Sequence, residues 1–194
     1  MEKITVGLLT GGKSRRMGQD KGNLRRGEET FLSYLAETAA GFGPVLVSVD
    51  RAEKWKGLPW PLAEDERQEY GPVEGVCQLL RRAETPFLLA LAVDLQGVNR
   101  DFLRAFLGEL RPGDVCLAAR SGGTVQPLCC IYSKALLPQL EAMRARGEHR
   151  LKALFSEAPV RFVDVEALGF EAEILANLNT PEDYADFLHG QKMQ

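Results

Sequence analysis

Short apolar runs alternate with amphipathic stretches along this 194-residue chain, and that alternation restricts the fold more than any other feature. Ile4 to Thr10 reads as a strand. Phe31, Leu32, Leu35, Ala36 and Ala39 then recur at helical spacing behind Thr30, a suitable N-cap. Val45 to Val49 predicts a second strand and Trp60 to Ala63 a short third, while Gly71 to Ala83 predicts a helix. Phe87 to Val93 is apolar on both faces, the pattern of a central parallel strand. Asn99 caps a helix striped with Phe102, Leu103, Phe106, Leu107 and Leu110. Val115 to Ala119 and Leu128 to Tyr132 predict two further strands, and a helix around Leu136 to Ala145 starts late or kinks at Pro138. A short helix at Leu151 to Phe155, a strand at Val160 to Val165 and a helix from Thr180 follow. The expected fold is α/β: a Rossmann-like, doubly wound, mostly parallel sheet with helices on both faces and a small antiparallel insertion in the second half. With no repeat or linker, residues 1–194 read as one domain.

The first strand runs directly into Thr10-Gly-Gly-Lys-Ser-Arg-Arg-Met-Gly-Gln-Asp-Lys21. Glycines let a backbone turn sharply and approach a ligand, and N–H groups aimed one way cradle an anion. Between Thr10 and Arg26, the cations Lys13, Arg15, Arg16, Lys21, Arg25 and Arg26 stand against Asp20, a local balance of +5 in a chain of net charge −3. Positive charge gathered on one loop of an acidic protein points to a polyphosphate site.

Gly7-Leu-Leu-Thr-Gly-Gly12-Lys13-Ser14 also satisfies G-x-x-x-x-G-K-S/T, the P-loop pattern, and Asp94 after an apolar strand resembles its metal-binding companion. A P-loop, however, opens its turn at the first glycine, whereas Gly7 lies inside the predicted strand. Gly18 and Gly22 would each cost roughly 1 kcal/mol within the helix that must follow. A longer loop wrapping a triphosphate fits the residues better.

Without a second basic block, a pI near 5.6 argues against nucleic acid. No apolar run can cross a bilayer, and the N-terminus lacks the features of a signal peptide. Cys77, Cys116, Cys129 and Cys130 show no C-x-x-C spacing, so buried thiols in a cytoplasmic protein are expected. His149 and His189 offer too few ligands for zinc and do not look catalytic.

The loop resembles the signature L-x-G-G-x-S-x-R-M-G-x-D-K of molybdenum cofactor guanylyltransferases, the MobA family. The resemblance runs along nearly the whole chain. Gly71-Pro-Val-Glu-Gly75 is similar to the family's G-P-L-x-G helix start, and Asp94 stands where the family has its metal-binding Asp. Gln126-Pro-Leu with Tyr132, Gly147-Glu-His-Arg-Leu151 and Asn177-Leu-Asn-Thr-Pro-Glu-Asp183 match further family segments in the same order. Two departures stand out: Leu95-Gln96 replaces the usual Met-Pro, which could shift the turn that positions the acceptor, and Thr10 replaces a small alanine, which could crowd the base.

The resemblance implies transfer of GMP from GTP to the terminal phosphate of molybdopterin, with Mg²⁺ as cofactor and pyrophosphate leaving. It implies Lys21, Arg16 and Asp94 as catalytic residues, the first two on phosphates and the last on the metal. Leu9, Thr10, Gly11, Gly12, Ser48 and Asp65 would join Lys21 and Asp94 in holding the nucleotide. Gly75, Asn177 and Asn179 would face the acceptor. Bland explanations compete at several positions: Asp94 as a turn former, Asp65 as a solvated acid, and Asn179 as an Asx turn capping the last helix. Ser48 stands where some relatives carry Asn, and Lys13 fills a variable position. A monomer is expected, in transient contact with molybdoenzymes or their chaperones and with neither nucleic acid nor membrane. The rival functions are CMP transfer to molybdopterin, NMP transfer to a sugar phosphate, a P-loop NTPase, and a non-catalytic nucleotide-binding module or chaperone for the pterin.

Overall fold

The computed structural model describes residues 3–10 and 20–191. Strand β1 (Ile4–Leu9) is buried throughout. A small hairpin of β2 (Arg25–Arg26) and β3 (Glu29–Thr30) follows, then helix α1 (Phe31–Ala39). Thr30 caps α1 through a reciprocal box in which its side chain takes the Ser33 N–H and Ser33 Oγ takes the Thr30 N–H. Next come β4 (Val45–Val49), β5 (Leu62–Glu64), α2 (Pro72–Arg82), β6 (Phe87–Ala92) and α3 (Arg100–Gly108). The second half adds β7 (Cys116–Ser121), β8 (Thr124–Ser133), α4 (Leu137–Ala145), β9 (Arg161–Asp164) and α5 (Pro181–Gln191).

Seven strands form one sheet in the order β5-β4-β1-β6-β8-β7-β9. Only β8 runs against its neighbours β6 and β7; the other pairings are parallel. The doubly wound sheet with an antiparallel insertion is therefore present, and β6 is parallel to β1 on one edge only. Pro138 lies in the first turn of α4, after a 3₁₀ turn at Lys134–Leu136, so the helix starts late without a kink. The third strand begins at Leu62, later than the expected Trp60. Helices α1 and α3 pack Leu32, Leu35, Phe102 and Phe106 on one face of the sheet. Helices α2 and α4 pack Val76, Leu79, Leu140 and Met143 on the other. All four cysteines are buried within these layers.

Gly7 lies in the middle of β1, opposite Leu46 and Ala90. A Cβ there would stand 2.7 Å from Leu79 Cδ1 and 2.9 Å from Leu88 Cδ1. The residue serves close packing of α2 on the sheet, which removes the geometric basis of the P-loop alternative. Among the described residues no helix is long and apolar enough to cross a membrane.

The chain moves from β1 outward through β4 to β5, then crosses to β6 on the other side of β1. Connections leaving β1 and β6 thus diverge, opening a crevice at their carboxyl ends, where open α/β sheets bind ligands. Thr10 and Asp94 are at that edge.

Candidate active site

Two groups of polar residues occupy this edge. The first centres on Asp94, two residues beyond β6 and largely buried. Lys21, in a 3₁₀ turn at Lys21–Asn23, places Nζ 2.5 Å from Asp94 Oδ2 and donates also to Asn179 Oδ1 at 2.9 Å. Asn177 Nδ2 donates to Asp94 Oδ1 at 2.8 Å, and Gln126 Nε2 donates to Asn177 Oδ1 at 2.6 Å. The backbone reinforces the arrangement, because the Leu178 N–H donates to the Asp94 carbonyl. Lys21, Asp94, Asn177 and Asn179 come together from three distant stretches of sequence.

Asn179 does not cap the last helix. Thr180 does: Asp183 N–H donates to Thr180 Oγ1, while Asp183 Oδ2 accepts from the N–H groups of Thr180 and Asn179. That box leaves the Asn179 amide for Lys21. The turn after Asp94 absorbs its unusual residues. Leu95 is buried, and Gln96 Nε2 folds back to the Val93 carbonyl at 2.5 Å.

The second group lines a cavity of about 720 Å³, large enough for a nucleoside. Leu9, Thr10, Ser48, Asp65 and Gly75 all contribute to its wall. Thr10 turns its hydroxyl away, donating to the Ser48 carbonyl at 2.8 Å, so the residue is held by β4. A Cβ on Gly75 would lie 2.7 Å from Ser48 Oγ and 3.0 Å from Leu9 Cδ2, so glycine is what lets α2 approach here. Gly75, expected on the acceptor side, therefore shares the cavity of Ser48 and Asp65, whereas Asn177 and Asn179 do not line it.

Asp65 follows β5, and its Oδ1 is buried without a hydrogen-bond partner. Burial first, then the negative charges of Glu74, Asp50 and Glu64, push its carboxyl up to about 7; Arg144 opposes them weakly. The turn that carries it is fixed from behind. Glu74, wholly buried on α2, accepts from the Glu66 N–H and from Gln78 Nε2, and it pairs with Arg144. Arg144 also holds Glu66, whose carboxyl drops to about 2 under the Arg144 and Arg81 hydrogen bonds. A turn so constrained keeps Asp65 in the cavity wall, where its carboxyl suits a ligand that brings N–H donors.

Sequence reasoning passed over part of this wall. Tyr70 and His149 pack with ring centroids 4.1 Å apart, and His149 Nδ1 lies 2.7 Å from the Tyr70 carbonyl. His149 looked like a member of a charged turn, and only its place in Gly147-Glu-His-Arg could have flagged it. Asp50, Arg51, Lys54 and Gln68 also line it, with Lys54 paired to Asp50 and Arg51 to Gln68. Gly11, Gly12, Lys13, Arg15 and Arg16 lie outside the described residues. Among those that are described, no three His, Cys, Asp or Glu side chains gather as a metal cage. Both Asp94 oxygens already accept, from Lys21 and Asn177, and a hard cation that keeps most of its waters would need to share only one of them.

A family model, the MobA-like NTP transferase domain, matches residues 6–162. A probable molybdenum cofactor guanylyltransferase of Chloroflexus aggregans is 32% identical, over 91% of this chain and 89% of that one. A molybdenum cofactor guanylyltransferase of Syntrophotalea carbinolica is 30% identical, over 91% of this chain and 87% of the relative. The crystal structure of molybdopterin-guanine dinucleotide biosynthesis protein A from Archaeoglobus fulgidus superimposes with a TM-score of 0.84 over 98% of this chain and all of that one. At 22% identity that last likeness bears on the fold alone. By the extent of the matched domain and the identity of its relatives, the chain belongs to the MobA-like NTP transferase family.

Proposed function

We propose that this chain transfers GMP from GTP to the terminal phosphate of molybdopterin and releases pyrophosphate. The observation that carries the reading is the meeting of Lys21 and Asp94 beside a nucleoside-sized cavity that contains an unsatisfied acid. Asp65 accepts from the N–H groups of the guanine edge. Backbone groups of Leu9 and Thr10 face the base and ribose, a role the family resemblance implies for Gly11 and Gly12 as well, and Ser48 and Gly75 shape the wall. Lys21 and Arg16 neutralise the phosphates, and Asn177 and Asn179 stand on the acceptor side. Asp94 would hold Mg²⁺, which when bound neutralises phosphate charge and orients phosphate oxygens.

The chemistry asks little of a general base. The attacking group is a phosphate monoester with a second pKa of about 6, already mostly dianionic at neutral pH. What remains is to bring two polyanions together and to stabilise charge on the departing pyrophosphate, a task of positioning and electrostatics. Lys21 is suited to it, because its ammonium already rests between Asp94 and Asn179 at the crevice mouth.

Melting the protein with each nucleoside triphosphate and Mg²⁺ tests the nucleotide. A ligand at about 100 times its Kd adds roughly 2.7 kcal/mol, a rise of about 5–10 °C for a chain this size. Stabilisation by GTP is expected, and stabilisation by ATP or CTP alone overturns the reading. Asp94→Ala and Lys21→Ala should abolish turnover while keeping the fold; near-wild-type activity in either would reject its role.

A further inference from the structure

We infer that the C-terminal segment braces Lys21, with Tyr184 as a positioning residue for the phosphate-binding end of the site. The inference rests on the role of Lys21 proposed above. A lysine side chain is a flexible four-carbon stem with about 2 kcal/mol of rotamer entropy, so its ammonium needs fixed partners to hold it in register.

The residues after Asn177 do so at several points. Asn179 accepts from Lys21 Nζ. One turn into α5, the Tyr184 hydroxyl accepts the Arg25 N–H at 3.1 Å and donates to the Arg25 carbonyl at 2.8 Å. A single phenol thereby ties both backbone groups of a residue four positions from Lys21. The Tyr184 ring meets Phe31 edge-on, centroids 5.7 Å apart, and Phe187 meets the same ring at 5.7 Å. Phe31 is wholly buried at the start of α1, so the helix is anchored to the core. The next hairpin residue is tied to the Asp94 turn, since Arg26 Nη1 donates to the Gln96 carbonyl at 2.6 Å and its guanidinium lies 3.7 Å from the Tyr34 centroid. Lys21 is thus fixed at its ammonium by Asp94 and Asn179, and its carbonyl accepts the N–H of Leu24, the residue next to the Arg25 that Tyr184 grips.

Removing the phenol should loosen Lys21 without touching the nucleoside cavity, because Tyr184 does not line it. The test is a double-mutant cycle on GTP affinity with Mg²⁺, by titration calorimetry, using wild type, Tyr184→Phe, Lys21→Ala and the double variant. Tyr184→Phe should weaken GTP on the order of tenfold, the worth of two neutral hydrogen bonds, and leave guanosine affinity unchanged. In the Lys21→Ala background the same change should cost less than about twofold. An equal loss in both backgrounds, or wild-type GTP affinity in Tyr184→Phe, overturns the inference. Should Tyr184→Phe melt early, Asn179→Ala goes through the same cycle, with the same outcomes. Absence of GTP binding by the wild type would instead refute the function proposed above.

Discussion

Asp65→Asn should make the protein more stable at pH 8 and worse at binding nucleotide. The carboxyl stands at about 7, against an ordinary 3.8, because burial and its acidic neighbours disfavour the charge. A rise of about three pH units is worth about 4 kcal/mol at about 1.36 kcal/mol per unit. The group is partly open to solvent, so screening leaves about 2 kcal/mol. The sign follows from proton counting. Below pH 3.8 both folded and unfolded chains carry the proton, and the fold suffers no penalty. Between there and pH 7 the unfolded chain ionises first while the folded one keeps its proton, so stability falls; above pH 7 the loss is complete.

Asparagine cannot ionise, so the gap between variant and wild type should open as pH rises. It should be small near pH 4.5 and about 2 kcal/mol at pH 8, or about 4–8 °C in Tm. Calorimetric melts of both proteins across that range measure it. At pH 8 the same substitution should weaken guanosine roughly 10- to 100-fold, the worth of charged hydrogen bonds. A carboxylate kept for structure would lower both quantities when removed. Stability curves that stay parallel from pH 4.5 to 8 would refute the reasoning.

Gly7→Ala should cost about 1–3 kcal/mol by overpacking against Leu79 and Leu88, while the folded variant keeps its GTP affinity; a P-loop glycine would show the opposite pattern in titrations. Glu74→Gln leaves Arg144 without its buried partner and frees the turn carrying Asp65, so urea unfolding should register a loss of about 3 kcal/mol. Thr180→Ala removes the α5 cap, should cost about 1 kcal/mol, and should also weaken GTP, because Asn179 loses its fixed position; unchanged GTP affinity would separate cap from site.

Much of the sheet was legible because its strands are long apolar runs with helical stripes between them. Even the reversal of β8 had a signal, since Gly122 and Gly123, both at positive φ, make the tight turn of a hairpin from β7. The β2–β3 hairpin escaped notice: strands of two residues have no periodicity, and only Gly27 at φ 63° marks the turn. At the site, residue type was legible and company was not. Asp94 could be singled out at the end of a buried strand, but nothing local says that an amide 83 residues later would hold its second oxygen. Asn179 had two explanations until the cap proved to belong to its neighbour Thr180. Asp65 looked like one acid among several in Glu64-Asp-Glu-Arg67, and only the fold turns it inward while its neighbour Glu66 pairs outward with Arg81.

The charge pattern of the site gives it a direction. Asp20, Asp50, Asp65 and Glu69 all line the cavity, against Arg51 and Lys54, and Lys54 is already paired to Asp50. Lys21 stands outside that lining, in a stretch from Thr10 to Arg26 whose sequence balance is +5. On the function proposed above, a nucleotide entering base-first would bring N–H donors to the acids and phosphates to Lys21. Entering the other way, it would press a triphosphate against four carboxylates within about one Debye length. On the function proposed above, acids at one end and Lys21 at the other would select orientation before any contact becomes specific, which would account for why the fold retains an acid that weakens it.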